Sequence, residues 1–271
     1  MRRLGLTFCF LVLSQIAMAQ GVYVHGSREG YNTLNRSLPK SLWDDCVLWV
    51  EGMTPVVADG TINAVYLDLS PEGNDGAQTT VANQPTRTVD GDGAYFDFDG
   101  TNDYIGVDDS ASLAGYTEVT WTCWVKRDSW TLVGGLITKY VVADNDRGFT
   151  VSETDLADHS VLSYSFSSNG ITKQRLYSPT GFFVNDVWTH VAVVFHNGDI
   201  TIAKNGAVFT EDVSTQKTIY DNSASLEIGG YVNALHYFDG KIDSVQIFNR
   251  ALTTNEISAI YNATMKWHPN P

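Results

Sequence analysis

Hydrophobic and polar positions alternate along short stretches of the chain, as they do in strands that bury one face. In the clearest stretch, Val119–Lys126, the odd-numbered positions form one side and the even-numbered positions the other. Comparable β-rich runs, separated by turn residues, cover 46–50, 64–67, 94–98, 104–107, 119–125, 135–140, 149–151, 161–166, 188–195, 199–203, 225–229 and 240–248. Asn-Gly pairs at 197–198 and 205–206 predict antiparallel hairpins. The pattern predicts an all-β protein, an antiparallel β-sandwich of the jelly-roll type.

One helix is predicted, close to the C-terminus. The run Thr253–Glu256 offers a helix start, and Ile257, Ile260 and Tyr261 then share one face. Before the first strand, residues 21–44 are rich in turn residues and show no sustained period, which predicts an irregular leader. The jelly-roll domain is therefore expected over residues 45–264, followed by a C-terminal tail over 265–271.

The first 20 residues have the pattern of a cleaved signal peptide. Arg2 and Arg3 precede an apolar stretch, and Ala17-Met18-Ala19 supplies small residues at the cleavage site. The apolar stretch is too short to span a bilayer. We therefore expect a secreted or periplasmic protein. Met18 offers a second start, and with that start export is not implied.

Acidic residues dominate the charge of the chain. The formal net charge is −14, from 17 Lys and Arg against 31 Asp and Glu, and removal of Arg2 and Arg3 with the signal peptide takes −14 to −16. Nucleic acids and anionic membranes attract a basic surface, so neither is an expected partner. Cys46 and Cys123 remain after the signal peptide. They are either disulfide-bonded, as an oxidising compartment permits, or free and buried.

Residues Asp97–Thr101 spell DxDGT, the sequence that opens the haloacid-dehalogenase phosphatases. In that family the two aspartates project from a loop between a parallel strand and a helix. Here a turn precedes the string and another strand follows it, and alternating strands and long helices are missing downstream. We expect Asp97, Asp99 and Asp103 to flank a hairpin turn.

Several ordered stretches resemble laminin-G-like domains of the third class, within the concanavalin A-like lectin/glucanase superfamily. The most specific is FDGKIDSVQIFNRAL at 238–252, similar to the family's F-x-G-x-I-D strand with its R-A-L ending. The other stretches are 68–76, which has Pro71-Glu72 where the family has small residues, then 95–107, 119–126, 188–193 and the Asn205-Gly206 turn. The resemblance extends from about Cys46 to Tyr261 and implies a jelly roll.

The resemblance also implies a structural calcium ion, because jelly rolls commonly use one to hold chain ends together. Asp68, Asn74 and Asp243 are the implied ligands. In the alternative, Asp68 and Asn74 shape a turn and Asp243 caps a strand. Asp144-Asn145 resembles half of a pentraxin-like cation site, but Gly230-Tyr231-Val232 stands where the other half would be.

Catalysis is not expected. Related sandwiches include glycosidases with an E-x-D-x-x-E motif. Glu153-Thr154-Asp155-Leu156-Ala157-Asp158 matches the first two acids but ends in Asp, and it lies between two predicted strands, where a hairpin loop is the simpler account. His159, His190 and His196 stand beside no recognisable Ser or Cys nucleophile motif.

Sugar-binding sites combine aromatic platforms with a few polar groups. The candidates in or beside predicted loops are Trp130, Tyr140, Tyr231, His236 and Tyr237. We therefore predict a secreted, non-catalytic recognition or adhesion module that binds a glycan or a cell-surface glycoprotein, in many copies if its sites are weak. The alternatives are a structural or decoration protein of a virion or extracellular assembly, which the Met18 start would favour, and a polysaccharide hydrolase or lyase.

Overall fold

The computed structural model describes residues 42–52, 57–58, 64–91, 93–128, 134–141, 146–153, 160–231 and 236–268. Its strands are β1 (Cys46–Val50), β2 (Val57–Ala58), β3 (Ala64–Tyr66), β4 (Gly76–Gln78), β5 (Thr86–Asp90), β6 (Gly93–Asp99), β7 (Ile105–Val107), β8 (Glu118–Arg127), β9 (Gly135–Val141), β10 (Asp146–Glu153), β11 (Leu162–Gly170), β12 (Lys173–Tyr177), β13 (Thr189–His196), β14 (Asp199–Lys204), β15 (Ala207–Val213), β16 (Leu226–Ile228), β17 (Gly230–Tyr231), β18 (His236–Tyr237) and β19 (Asp239–Phe248). One α-helix, α1 (Thr254–Thr264), follows, and short 3₁₀ turns lie at Val81–Asn83, Ala111–Leu113 and Met265–Trp267.

The strands form two large antiparallel sheets and a small ribbon. The first sheet has the order β15-β14-β13-β8-β19-β6-β5, and β1 also pairs with β19. The second sheet has the order β12-β11-β10-β9-β16-β7-β4-β3-β2, and β17 pairs with β18 as a separate ribbon. The predicted all-β sandwich is confirmed. Among the described residues, no helix is long and apolar enough to cross a membrane.

The core contains the inner side of β8, as the alternation predicts. Val119, Trp121, Cys123 and Val125 all belong to the central buried cluster. Trp121 packs against Phe149 at a ring-centroid distance of 4.6 Å, and burial of one large apolar side chain stabilises the fold by about 1.5–3 kcal/mol. Cys46 and Cys123 are both buried free thiols, so of the two alternatives left open by the sequence the structure has the free cysteines and not the disulfide.

The outer side of β8 is buried as well, because α1 covers it. Trp124 is fully buried, stacks on Tyr261 of the helix at 5.6 Å and donates its indole N–H to Thr264 Oγ1 at 2.9 Å. The helix begins where predicted: Thr253 Oγ1 accepts from the backbone N–H of Glu256, while the Glu256 carboxylate accepts from the backbone N–H of Thr253.

Packing continues beyond residues 45–264 at both ends. Trp43 stacks on Trp49 at 4.7 Å, and His268 stacks on Trp124 at 4.3 Å. Both residues are almost completely buried. The packed domain therefore includes at least Leu42 and His268, which the sequence assigned to the leader and the tail. The predicted signal peptide lies outside the described residues.

The DxDGT string forms a turn, as expected, but the turn is not a hairpin, because β6 lies in the first sheet and β7 in the second. Asp99 Oδ1 accepts the backbone N–H groups of Thr101 and Asn102 at 2.8 and 3.2 Å. Asp103 Oδ2 accepts the backbone N–H of Asp99 at 3.1 Å. These carboxylates satisfy the backbone of the turn between β6 and β7, and the parallel strand-helix unit of a phosphatase is not formed there.

Candidate functional site

The outer face of the second sheet carries rows of hydroxyl side chains. Strand register places Thr138 opposite Thr150, Thr150 opposite Ser165 and Ser165 opposite Arg175, so one row crosses β9 to β12. Alternation along a strand sends the intervening residues to the other face, where Phe149, Val151, Tyr164 and Phe166 join the core. The sheet therefore has an apolar inner face and a polar outer face at this place.

The β17–β18 ribbon stands beside these rows and supplies aromatic side chains. Tyr231 lies perpendicular to Tyr140 of β9 with ring centroids 5.5 Å apart, and its ring is 6.0 Å from that of His236. Thr138 Oγ1 donates to the carbonyl oxygen of Gly230 at 2.8 Å and so ties the ribbon to β9. A side chain at Gly135 would prevent this approach, since an added Cβ would lie 2.4 Å from that oxygen.

The hydroxyl rows and the β17–β18 ribbon enclose a small cavity, here named the sheet pocket. Its volume is about 70 Å³, below the roughly 300–1,000 Å³ of typical small-molecule sites. Its lining combines aromatic, hydroxyl and charged side chains with one glycine: Gly135, Tyr140, Thr150, Ser152, Glu153, Ser163, Lys173, Arg175, Tyr231 and His236. A pocket of this size can hold part of one sugar unit and leaves the rest of an oligosaccharide outside.

Cationic side chains lie on the β12 side of the sheet pocket. Arg175 Nε donates to Ser165 Oγ at 3.2 Å, and Arg175 Nη1 donates to the Tyr177 hydroxyl at 2.9 Å. Burial raises the pKa of Tyr140, while the positive charges of Arg147 and Arg175 act in the opposite direction. Burial likewise raises the pKa of Tyr231. Both phenols are therefore neutral hydrogen-bonding groups at physiological pH.

Glu153 is the acidic residue in the lining of the sheet pocket. Its Oε1 lies 2.6 Å from Nε of Arg127, and both side chains are almost completely buried. Burial raises the pKa of Glu153 to about 8, against the opposing effect of Arg127. The predicted partner acids Asp155 and Asp158, together with His159, lie outside the described residues.

The structure brings three of the five predicted ligand residues together, Tyr140, Tyr231 and His236. Tyr237 pairs with Gly230 on the same ribbon but is not part of the pocket lining. Trp130 lies outside the described residues, as do Asp144 and Asn145. Sequence reasoning missed Lys173 and Arg175 because the polar strand β12 was not predicted. Asn169-Gly170, which ends β11, was the available hairpin signal.

Comparison of the whole chain with known families identifies its relatives. The profile of the concanavalin A-like lectin/glucanases superfamily, Laminin_G_3, matches residues 99–258, more than half of the chain. The chain belongs to this family. No curated protein matches the sequence of this laminin-G-like chain significantly.

Solved structures support the same fold. The binding domain of Paraclostridial Mosquitocidal Protein 1 has a TM-score of 0.60 and 16% identity, over 85% of this chain and 56% of that one. The ligand binding domain of botulinum neurotoxin serotype D, solved with N-acetylneuraminic acid, has a TM-score of 0.60 and 12% identity over 85% and 55%. A Trypanosoma rangeli sialidase has a TM-score of 0.59 and 15% identity over 86% and 34%. The chain thus spans little more than half of the toxin domains, and these identities show the fold alone.

The implied calcium ligands of this laminin-G-like domain already accept several hydrogen bonds. Asp68 Oδ1 accepts from the backbone N–H of Trp49 and Ser70, and Oδ2 from the Ser70 hydroxyl and the backbone N–H of Asn74, at 2.6–2.8 Å. A carboxylate has about four lone-pair sites, so the protein already occupies those of Asp68. In this structure Asp68 closes the loop between β3 and β4 onto β1.

Asp243 lies in a separate network. It accepts from the backbone N–H of Gly52 at 2.6 Å and lies 2.8 Å from His268 Nε2. The Asn74 amide donates to the Val47 carbonyl. Within the described part of the chain no group of three or more His, Cys, Asp or Glu side chains is arranged to hold a metal ion. The three residues do not form a ready donor set for calcium, and calcium binding stays a prediction from the resemblance.

Proposed function

We propose that the chain is a non-catalytic carbohydrate-binding module and that its site is the sheet pocket. The observation that carries this proposal is the placement of Tyr140, Tyr231 and His236 beside rows of Ser and Thr hydroxyls. Aromatic faces pack against the apolar faces of sugar rings, while hydroxyl and charged groups bind the sugar hydroxyls. The family and the sugar-bound toxin domain support carbohydrate binding in general.

The position of Glu153 supports a binding role over hydrolysis. A retaining glycosidase needs two carboxyl groups about 5 Å apart, one of them a free nucleophile. Glu153 Oε1 instead lies 2.6 Å from Nε of the buried Arg127. If the pocket were hydrolytic, Glu153→Gln would abolish turnover of a polysaccharide that the wild-type chain cleaves. We expect neither protein to release reducing sugar from any member of a polysaccharide panel.

The ligand would be a glycan or glycoprotein outside the cell, as the predicted signal peptide implies. The sheet pocket contacts little of an oligosaccharide, so a single site should bind weakly. Several copies on one particle or surface would raise the avidity without a new contact. An extracellular adhesion or recognition role therefore fits the small volume better than tight capture of one free sugar.

A glycan-array assay on the full chain, run with calcium and again with EDTA, tests this proposal. We expect a limited set of glycans to bind, and Tyr231→Ala to weaken their binding. The matched control is Tyr220→Ala, because Tyr220 is an exposed tyrosine outside the pocket lining. Equal binding by Tyr231→Ala and Tyr220→Ala would show that Tyr231 does not contribute to the binding site. No binding to any glycan would contradict the proposal and favour a protein-binding or particle-building role.

A further inference from the structure

We propose, on the basis of the proposed carbohydrate function, that the sheet pocket selects glycans bearing a carboxylate, such as uronic or sialic acids. Arg175 and Lys173 of β12 would bind the carboxylate, and the half-buried Tyr231, which rests on the buried Tyr140, would pack against the sugar ring. The ligand would be acidic although the net charge of the protein itself is strongly negative.

The first support is the position of Arg175. Two side chains hold its guanidinium on the outer face of the sheet: Ser165, its register partner on the adjacent strand β11, and Tyr177, two residues further along β12. The guanidinium carbon also lies 5.7 Å from the centre of the Tyr177 ring. A held guanidinium loses less conformational freedom on binding, and its planar array of N–H donors matches a carboxylate.

The second support is the local charge. Arg147 and Arg175 both act electrostatically on Tyr140 and Tyr231, and Lys173 joins Arg175 in the pocket lining. Acidic residues outnumber basic ones 31 to 17 over the whole chain, so a group of cations at one cavity departs from the general surface. Opposite charge at the site attracts an anionic ligand, and an acidic surface elsewhere repels it.

The acidic groups that the structure describes near the site do not oppose this inference. Glu153 is paired with Arg127, so the pair is neutral when Glu153 is ionised and positive when it is protonated. Glu227 of β16 pairs with Thr138 of β9, at the opposite end of the row that ends in Arg175, and its charge acts on Tyr231 and Tyr237. This charge gradient across the row would direct the ligand carboxylate towards β12.

The test compares each acidic glycan with its own methyl ester, which has the same sugar skeleton and no charge. The probes are oligogalacturonate and sialyllactose, with their methyl esters, titrated against the full chain by calorimetry at low and high salt. At least one acid should bind roughly tenfold more tightly than its ester, because a charged hydrogen bond is lost in the ester. The preference should shrink as salt screens the exposed charges.

Arg175→Gln should remove the preference for the acid over its ester. The control is Lys266→Gln, which removes an exposed positive charge in the turn after α1 and should keep the preference. If Arg175→Gln fails to fold, Lys173→Gln replaces it, because Lys173 is exposed and lines the same pocket.

The outcomes separate the two proposals. Equal affinity for acid and ester, binding of neutral glycans alone, or a preference that survives both β12 substitutions would overturn the carboxylate inference and leave carbohydrate binding intact. Failure of every probe here and of every glycan on the array would overturn both.

Discussion

The absence of a side chain at Gly135 determines the shape of the candidate site. An added methyl group would lie 2.4 Å from the carbonyl oxygen and 2.7 Å from the carbonyl carbon of Gly230. The β17–β18 ribbon would have to move away from β9, and Tyr231 would move with it. One residue therefore controls the distance between the aromatic side of the pocket and its hydroxyl rows.

Gly135→Ala should lower the free energy of unfolding by about 1–3 kcal/mol and weaken glycan binding, because overpacking displaces the ribbon. Urea unfolding and the glycan titration measure the two effects. Gly91→Ala is the matched control, since no atom lies within 4 Å of a Cβ added at Gly91. Similar losses in both variants would show that the contact with Gly230 is not the cause.

Glu51 makes the stability of the fold depend on pH. Glu51 is almost completely buried, and burial together with the nearby charge of Asp243 raises its pKa from 4.5 to about 8. Between these values the folded state holds a proton that the unfolded state has released, so stability falls as pH rises. Glu153, with its pKa raised to about 8, acts in the same direction.

Glu51→Gln should therefore flatten the fall in stability between pH 4.5 and about 8, because the amide keeps the shape of the side chain and carries no ionisable proton. The measurement is urea unfolding across that range. Glu211→Gln changes an exposed glutamate and should reproduce the wild-type slope. A wild-type slope in Glu51→Gln would mean that Glu51 is not responsible.

At the scale of elements, the start of α1 depends on local charge. Its Glu256 accepts from Arg250 at 2.8 and 3.1 Å and completes the capping box with Thr253. These hydrogen bonds lower the pKa of Glu256 from 4.5 to about 2. The helix in turn covers Trp124, so loss of the cap would also loosen the outer layer of the first sheet.

Because the pKa of Glu256 is lowered in the folded state, its contribution is complete above pH 4.5 and is lost as pH falls towards about 2. The stability of Glu256→Gln should depend less on pH in that range. Unfolding is measured by near-ultraviolet circular dichroism of the buried aromatic side chains. Glu72→Gln, at an exposed position in a loop, is the control. An unchanged acid transition in Glu256→Gln would exclude the cap as its source.

At the scale of the whole molecule, hydrogen bonds join distant parts of the chain. Asp243 connects the bulge of β19 to Gly52 after β1 and to His268 after α1. Asp68 connects the loop after β3 to Trp49. These contacts join chain segments that lie far apart in the sequence.

His268→Ala should cost about 3–5 kcal/mol, because it removes the stacking on Trp124 and leaves the Asp243 carboxylate with one buried partner fewer. Denaturant unfolding measures the loss. Met265→Ala, at an exposed position in the 3₁₀ turn that precedes His268, should cost far less. A small effect of His268→Ala would show that the C-terminal residues are only loosely attached to the sheet.

Calcium should have little effect on the melting temperature, since binding must displace the hydrogen bonds that Asp68 and Asn74 already make. Differential scanning calorimetry in calcium and in EDTA makes the comparison, with magnesium as the control ion. A rise in melting temperature that is specific to calcium and absent from Asp68→Asn would contradict this expectation and restore the calcium site implied by the family.

The sequence by itself determined the fold class, the inner face of β8, the start of α1 and the turn at the DxDGT string. Each of these features depends on local periodicity or capping, which can be predicted from the residues of one short segment. Strand β12 was not predicted because it is short, polar and at a sheet edge. Neither face of such a strand has to be fully buried, so apolar and polar residues need not alternate along it. Only the tertiary structure decided that Tyr140, Tyr231, Glu153 and Arg175 share one pocket, because pairing across strands brings together residues far apart in the chain.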